Sequence, residues 1–468
     1  MATDMRNADF SKVYFVGIGG IGMSALARYF KHEGKEVAGY DRTPTPLTRE
    51  LEAEGIEVHY DDDVKIIPSG FLKKDDTLVV YTPAIPKDHS ELCYFSENEF
   101  RLVKRSEILG VVSQGKFVMA VAGTHGKTTT TTMVAWFNHI AGGGGSAFLG
   151  GISKNFNSNL VLGTGNKLAV EADEFDRSFL RLFPDVAVIT AVDPDHLDIY
   201  GTYEEVRKAF SEFVSQIKPG GTLILKEGVD IEIPNDKITV YRYSYDTPCD
   251  FYAANIRPAD GGMSDFDLVY PDGIITGCRT GVPGWINIEN AVAAAAAVWA
   301  GGCDKEKLRE AIGSFSGVKR RFDFHINTPE LVYMDDYAHH PEELRAAITS
   351  LRGMFPERHL KVVFQPHLYT RTRDFAREFS EALSLADEVI MLPIYPAREL
   401  PIEGVNSEMI MENITCGKRL VEKTRLAETL AKERNDVVVT FGAGDIDAYC
   451  SEIRNSLAKN FKSQDDVD

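Results

Sequence analysis

Short apolar runs punctuated by polar turns recur along the whole chain. KVYFV, TLVVYT, FVMAVA, KLAVEA, VAVITAV, TLILK, KVVFQP, DEVIML and DVVVTFGAG are rich in β-branched and aromatic residues, which reads as strands. Between them lie stretches such as YEEVRKAFSEFVSQI, with the spacing of helices. Strands alternating with helices predict parallel α/β sheets. Three segments open with a strand and pass through a polar loop into a helix: residues 12–30, 116–137 and 330–348. Joins are expected within 105–115 and near 318–325, giving domains 1–108, 109–324 and 325–468.

Composition narrows the class. The 468 residues are 44% hydrophobic and 26% charged, as in ordinary globular chains. A formal charge of −19 weighs against nucleic acid or anionic membrane as the main partner. The longest apolar run, Ala291 to Ala300, falls short of the roughly 20 residues that span a bilayer. The N-terminal MATDMRNADFSK carries no apolar signal core. Six scattered cysteines without a CxxC pair predict neither a disulfide framework nor structural zinc, and a cytoplasmic setting is expected.

Gly17, Gly19 and Gly22, with Gly20 between them, form GxGxxG directly after KVYFV. Such a loop lets the backbone approach a pyrophosphate at a helix N-terminus. Asp41 closes the next strand-like run, where a ribose-binding acid belongs. The pattern alone fits NAD as well as a UDP-sugar, so a nicotinamide-dependent oxidoreductase is one reading of this segment.

The run AGTHGKTTTTT follows a second strand. Val121 stands where the full phosphate-loop pattern has glycine, so the loop is a shortened variant turning at Gly123. Gly123, Thr124, His125, Gly126, Lys127, Thr128 and Thr129 are the expected phosphate contacts. Lys127 would reach β- and γ-phosphate oxygens and the Thr128 hydroxyl would ligate Mg²⁺. Two acidic clusters end later strands: VEADEFD, with Glu171, Asp173, Glu174 and Asp176, and AVDPDHLD, with Asp193, Asp195, His196 and Asp198. Glu171 is placed for Mg²⁺, and His196 for a second ion with a mixed oxygen and imidazole shell.

Asn287 and Asn290 are three apart at the start of an Ala-rich helix, so both amides share one face. They suit adenine, unless Asn287 is merely an N-cap. Arg320 and Arg321 mark the second join and could clamp phosphate there. After it come DDYAHHP, with Asp336, Tyr337 and His339, and FQPHLYTRTRDF, with His367, Arg371 and Arg373. An arginine in that position suits a substrate carboxylate.

With these residues in view the chain resembles the Mur ligases nearly end to end. GIGGIGMSALA, AGTHGKTTT, EADE, DPDHLD, NIENA, RRFDFH, DDYAHHP, FQPHLYTRT, YPARELPIEG and GAGDI occur in the family's order. The resemblance implies three domains: a Rossmann-like N-terminal domain for the UDP-sugar, a central P-loop ATPase domain, and a Rossmann-like C-terminal domain for the amino acid. It implies ATP-driven joining of L-alanine to the lactyl carboxylate of UDP-N-acetylmuramate. The opening GIGGIGMSALA favours that substrate pair over the murein tripeptide, the family alternative.

By the same resemblance Lys127 and Thr128 hold ATP phosphate and Mg²⁺, and Glu171 and His196 serve the metals. Asn287 and Asn290 contact adenine, and Arg321 and Asp336 reach the nucleotide. Tyr337, His339 and Arg371 surround the acyl group and the alanine, with His339 placed to take the amine proton. Three positions depart from the family: Ile286 for histidine, Leu368 for arginine and Phe175 for serine.

Overall fold

The computed structural model describes residues 10–194, 197–397 and 399–464. The chain forms two compact units. The first runs to Arg257 and includes Asp265–Gly281 and Ile286–Ser316; the second comprises Pro258–Ser264, Val282–Trp285 and the chain from Gly317.

The first unit opens with a five-stranded sheet of β1 (Lys12–Val16), β2 (Glu36–Tyr40), β3 (Glu57–His59), β4 (Thr77–Tyr81) and β5 (Arg101–Lys104). Its order is β3-β2-β1-β4-β5, and every pair is parallel. After Lys12 the first strand is apolar throughout, and the reason is visible. Val13 and Phe15 enter one core cluster while Tyr14 and Val16 enter another, so both faces of β1 are covered. The chain leaves β1 to β2 on one side and reaches β4 on the other. The glycine loop after β1 therefore sits at a topological switch point, where open α/β sheets bind ligands.

A seven-stranded sheet follows, built from β6 (Phe117–Ala122), β7 (Ser146–Ser153), β8 (Ser158–Val161), β9 (Lys167–Glu171), β10 (Val186–Ile189), β11 (Thr222–Lys226) and β12 (Thr239–Tyr243). Its order is β12-β11-β10-β6-β9-β7-β8, with only β8 antiparallel to its neighbour. Strand β6 lies between β9 and β10, so the phosphate loop emerges at a second switch point. The two sheets are joined within the unit. Asn159 of β8 donates to Ile21 O at 2.6 Å and Ser24 Oγ at 2.8 Å on the Ile21–His32 helix. A three-stranded sheet of β13 (Tyr252–Pro258), β14 (Ser264–Tyr270) and β15 (Gly273–Arg279) comes next.

The second unit holds β16 (Asp323–Asn327), β17 (Val332–Asp336), β18 (Leu360–Phe364), β19 (Glu388–Met391), β20 (Gly417–Leu420) and β21 (Val437–Phe441). Their order is β16-β17-β21-β18-β19-β20, parallel except for β16. Val332 and Met334 pack into one cluster and Tyr333 into another, again covering both faces. DDYAHHP, FQPH and GAGD follow three adjacent strands, β17, β18 and β21, at their C-terminal ends.

All six cysteines are free thiols. Among the described residues no helix is long and apolar enough to cross a membrane.

Candidate active site

Three loops carry the candidate chemistry, two in the first unit and one group in the second.

The glycine loop is tied by its own backbone and by Asp41. Gly17 has φ +92° and the Gly19 N–H donates to Asp41 Oδ2 at 2.7 Å. A Cβ on Gly19 would stand 2.7 Å from both that oxygen and Thr48 Cγ2, so no other residue fits without displacing them. Asp41 thus shapes the loop as well as standing where a ribose is expected. Gly20 caps the Ile21–His32 helix. At Gly22 a Cβ would meet the Arg105 guanidinium at 2.7 Å. Arg105 went unnoticed in the sequence, yet its Nη2 also lies 3.6 Å from Asp173. If the loop takes the UDP-sugar that its sequence leads one to expect, Gly19→Ala weakens that binding at least tenfold and leaves ADP binding unchanged, as titration calorimetry would register.

The phosphate loop is compact. Gly123 has φ +133°, and a Cβ there would come within 2.2 Å of Thr190 Oγ1. The Thr190 hydroxyl donates to the carbonyls of Ala122 and His125. The Thr124 hydroxyl donates to Asp193 at 3.0 Å, and His125 Nε2 lies 3.6 Å from the same carboxylate. Gly126, φ +79°, caps the Lys127–Ile140 helix, on whose first turn lie Thr128 and Thr129. Lys127 Nζ donates to Gly123 O and to Glu174 Oε1, both at 2.8 Å. Burial opposes the charge on Lys127, but Glu174, Asp173 and Glu171 outweigh it and hold the ammonium protonated. Burial drives the Glu174 carboxyl upward, and Lys127 offsets part of that. A cavity of about 430 Å³ adjoins the loop, lined in part by Thr190, Asp193, Tyr203, Arg207 and Lys226.

Glu171 ends β9 directly beside Val121, the residue two before Gly123. A Cβ on Gly150 would stand 2.1 Å from Glu171 Oε2, so the neighbouring strand leaves space for the carboxylate. A carboxylate and the Thr128 hydroxyl are hard oxygen donors, the kind Mg²⁺ takes. His196, expected to serve a second ion, lies outside the described residues.

Asn287 is no N-cap. The Trp285–Ala300 helix begins before it, and both Asn287 and Asn290 are buried within it. Asn290 Oδ1 accepts from the Thr130 hydroxyl at 3.1 Å, locking this helix to the phosphate-loop helix. Asn290 also reaches toward Asn287, at 3.5 Å.

In the second unit the arginine pair divides its work. Arg320 pairs with Asp335 at 3.2 Å and donates to the carbonyls of Gly442 and Gly444, so it is structural. Both guanidinium groups lie 5.1 Å from the Tyr337 ring. Arg320 and Phe322, at φ 61° and 49°, hold this turn in left-handed backbone, which costs roughly 1–2 kcal/mol per residue. Asp336 stabilises the turn. Its oxygens accept from the N–H of Phe322 at 2.7 Å and of Ala338 at 2.8 Å. Burial pushes its carboxyl up to about 6, against the pull of Arg321 and these two donors.

His339 is oriented from behind. Its Nδ1 lies 3.0 Å from Tyr337 O and 3.3 Å from Glu343 Oε2. Glu343 also accepts from the N–H of His339 at 2.9 Å and of His340 at 3.1 Å. An Nδ1–H facing these acceptors leaves the lone pair on Nε2. Burial, then Arg371 and Arg321, hold the imidazole below its ordinary value, against Glu343 and the Tyr337 carbonyl. The ring is therefore neutral at pH 7. The His367 ring lies 5.9 Å from that of His339 and stacks on Tyr395 at 5.8 Å. Arg371 sits in the first turn of the Tyr369–Leu383 helix, capped by Leu368 at φ 73°. Glu343 has a sequence signal that was overlooked, since an acid at the third position of a helix closes a capping box.

These loops and sheets match three family models in chain order: "Mur ligase family, catalytic domain" over residues 12–117, "Mur ligase middle domain" over 121–298, and "Mur ligase, glutamate ligase domain" over 320–444. The chain belongs to the Mur ligase family. It is 49% identical over 453 residues to the UDP-N-acetylmuramate–L-alanine ligase of Parabacteroides distasonis, covering 96% of this chain and 98% of that one. It is 49% identical over 452 residues to the same enzyme of Porphyromonas gingivalis, covering 95% and 99%. Among solved structures it resembles UDP-N-acetylmuramate–alanine ligase MurC of Thermotoga maritima, with TM-score 0.78, 27% identity and coverage of 97% and 99%.

Proposed function

We propose that the protein joins L-alanine to the lactyl carboxylate of UDP-N-acetylmuramate at the expense of ATP, in peptidoglycan precursor synthesis. The observation that carries this reading is a phosphate loop turning at Gly123 with its ammonium in place, in a chain that matches an L-alanine ligase over 96% of its length. We assign residues 1–108 to the sugar nucleotide, 109–324 to ATP and 325–468 to the amino acid.

A carboxylate resists attack by an amine because it is anionic and has no good leaving group. A lactyl carboxylate oxygen attacks the γ-phosphorus of ATP, the bond to the β-bridging oxygen breaks, and ADP leaves. The resulting acyl phosphate carries a good leaving group. The neutral alanine amine adds to its carbonyl carbon, phosphate departs, and the amide remains with one amine proton shed. Lys127 and the backbone N–H groups of His125–Thr129 hold the phosphates and stabilise charge on the transferring phosphoryl group, while the Thr124 N–H is taken by Ala191 O. Thr128 and Glu171 would hold Mg²⁺, which supplies further neutralisation of phosphate charge when bound. Arg371 holds the alanine carboxylate, and His339, neutral with its lone pair on Nε2, takes the amine proton.

The test is phosphate release from ATP. It should require both UDP-N-acetylmuramate and L-alanine, with little release when the tripeptide L-Ala-γ-D-Glu-diaminopimelate replaces alanine. Release without the sugar nucleotide would leave only a bare ATPase.

The His339 assignment fixes a pH dependence. An imidazole held below its ordinary value stays neutral until the pH falls beneath about 6.5. Beyond the slope set by deprotonation of the free alanine amine, kcat/KM for alanine should show a second acid limb below that value, and His339→Gln should abolish this second limb. A limb at or above 7 that His339→Gln removes contradicts the role.

A further inference from the structure

Glu174 is 1% exposed, and its carboxylate faces the one ammonium of the phosphate loop. Lys127 has three N–H donors. One goes to Gly123 O and one to Glu174 Oε1, each at 2.8 Å. Two of the three are therefore engaged inside the protein before any nucleotide arrives.

The segment that presents Glu174 is held against its own backbone preference. Asp176 and Arg177 follow it at φ 52° and 53°, a left-handed conformation that non-glycine residues adopt only when their surroundings over-determine it. The surroundings are on hand. Tyr200 OH donates to the Glu174 carbonyl at 2.6 Å, the Arg177 guanidinium lies 5.3 Å above the Tyr200 ring, and Asp176 pairs with Lys104 at 2.9 Å. Three contacts, two of them through Tyr200, thus fix a strained turn around one buried carboxylate beside Lys127.

A bound phosphate needs the same ammonium. We propose that Glu174 is a positioning residue acting through Lys127: it takes the place of phosphate charge in the nucleotide-free protein and competes with the nucleotide for the ammonium, so that ADP is released readily. This rests on the phosphate-binding role of Lys127 given above. The pair is stable because a buried charge is costly without its partner. The nucleotide provides a replacement anion, and Glu174 sets how much of the ammonium's charge the phosphates receive. The acid thereby limits product affinity while keeping the lysine protonated and in place.

Glu174→Gln keeps the shape and the acceptor oxygen but removes the competing charge. Calorimetry should show ADP bound at least tenfold more tightly, with the KM for ATP lowered and kcat reduced as ADP dissociates more slowly. Loss of a merely structural contact would lower Tm and leave ADP affinity unchanged or weaker, and either result overturns the proposal. In a Lys127→Ala background the Glu174 substitution should have no effect on ADP affinity, because the competition acts through that ammonium; an undiminished tightening there also overturns it. Should the glutamine variant not fold, Glu174→Asp withdraws the carboxylate by one methylene. It should tighten ADP binding in the same direction, and no tightening refutes the competition. The two readings fail separately. If Lys127→Ala leaves ADP affinity untouched, the phosphate-loop assignment itself falls. If Lys127→Ala weakens ADP binding but removal of the Glu174 charge does not strengthen it, only the competition falls.

Discussion

Lys127→Ala abolishes ligation while UDP-N-acetylmuramate still binds. The ammonium sits at the head of the loop helix, within hydrogen-bonding distance of Gly123 O, and remains charged despite burial. During phosphoryl transfer, negative charge builds on the oxygens this group faces. Removing one well-placed transition-state donor costs roughly 3–4 kcal/mol, a loss of about 10²–10³-fold in kcat. The true loss should be at the upper end, because the variant also leaves the buried Glu174 carboxylate without its ammonium. The glycine loop of Gly17–Gly22, to which we assign the sugar nucleotide, is built on a different sheet and keeps its Asp41 tie, so its affinity should be unchanged. Steady-state phosphate release, paired with calorimetric titration of the sugar nucleotide, checks both halves of this expectation. Near-normal turnover would refute the role of the lysine.

Arg371→Met raises the KM for alanine about 10–100-fold and changes the KM for ATP little. A charge-assisted hydrogen bond to a carboxylate is worth roughly 1.5–3 kcal/mol, which sets that range. Arg371 lies in the group formed by DDYAHHP and FQPH, and its charge is felt by His339. Leu368, three residues earlier, supplies no second guanidinium at this turn. Arg371→Lys should recover only part of the affinity, because an ammonium cannot make the two parallel hydrogen bonds of a guanidinium. Equal increases in both KM values would show that Arg371 supports the fold rather than the amino acid.

Much of this architecture was legible along the chain. VYFV, FVMAVA and LVYM are apolar at every position because each strand is covered on both faces, and such runs stand out without any neighbour in view. The glycine and phosphate loops were legible for a related reason. Gly17, Gly123 and Gly126 adopt positive φ, and Gly19 is hemmed in by Asp41 and Thr48, so the residue type itself reports the geometry.

What could not be read is what the fold brings together from a distance. Glu174 lies 47 positions from Lys127 and looked like one acid among several in EADEFD. The positive φ at Asp176 and Arg177 leaves no trace in sequence because neither is glycine. The two arginines at 320 and 321 are indistinguishable by type and both lie over Tyr337, yet Arg320 is also held by Asp335 and the carbonyls of Gly442 and Gly444. Likewise Asn287 could be read as a cap because helix ends are blurred by a residue or two in any pattern of apolar positions. The first two sheets share one apolar cluster, and Asn159 meets the first helix beside it, a contact that neither segment announces.

The central claim is that ATP activates the lactyl carboxylate as an acyl phosphate before alanine attacks. The most direct measurement follows oxygen. UDP-N-acetylmuramate labelled with ¹⁸O in its lactyl carboxylate is incubated with the protein, ATP and L-alanine, and the released phosphate is examined by mass spectrometry. The account predicts that each phosphate formed with product carries one oxygen from the carboxylate. Phosphate free of label, alongside normal amide formation, would contradict it.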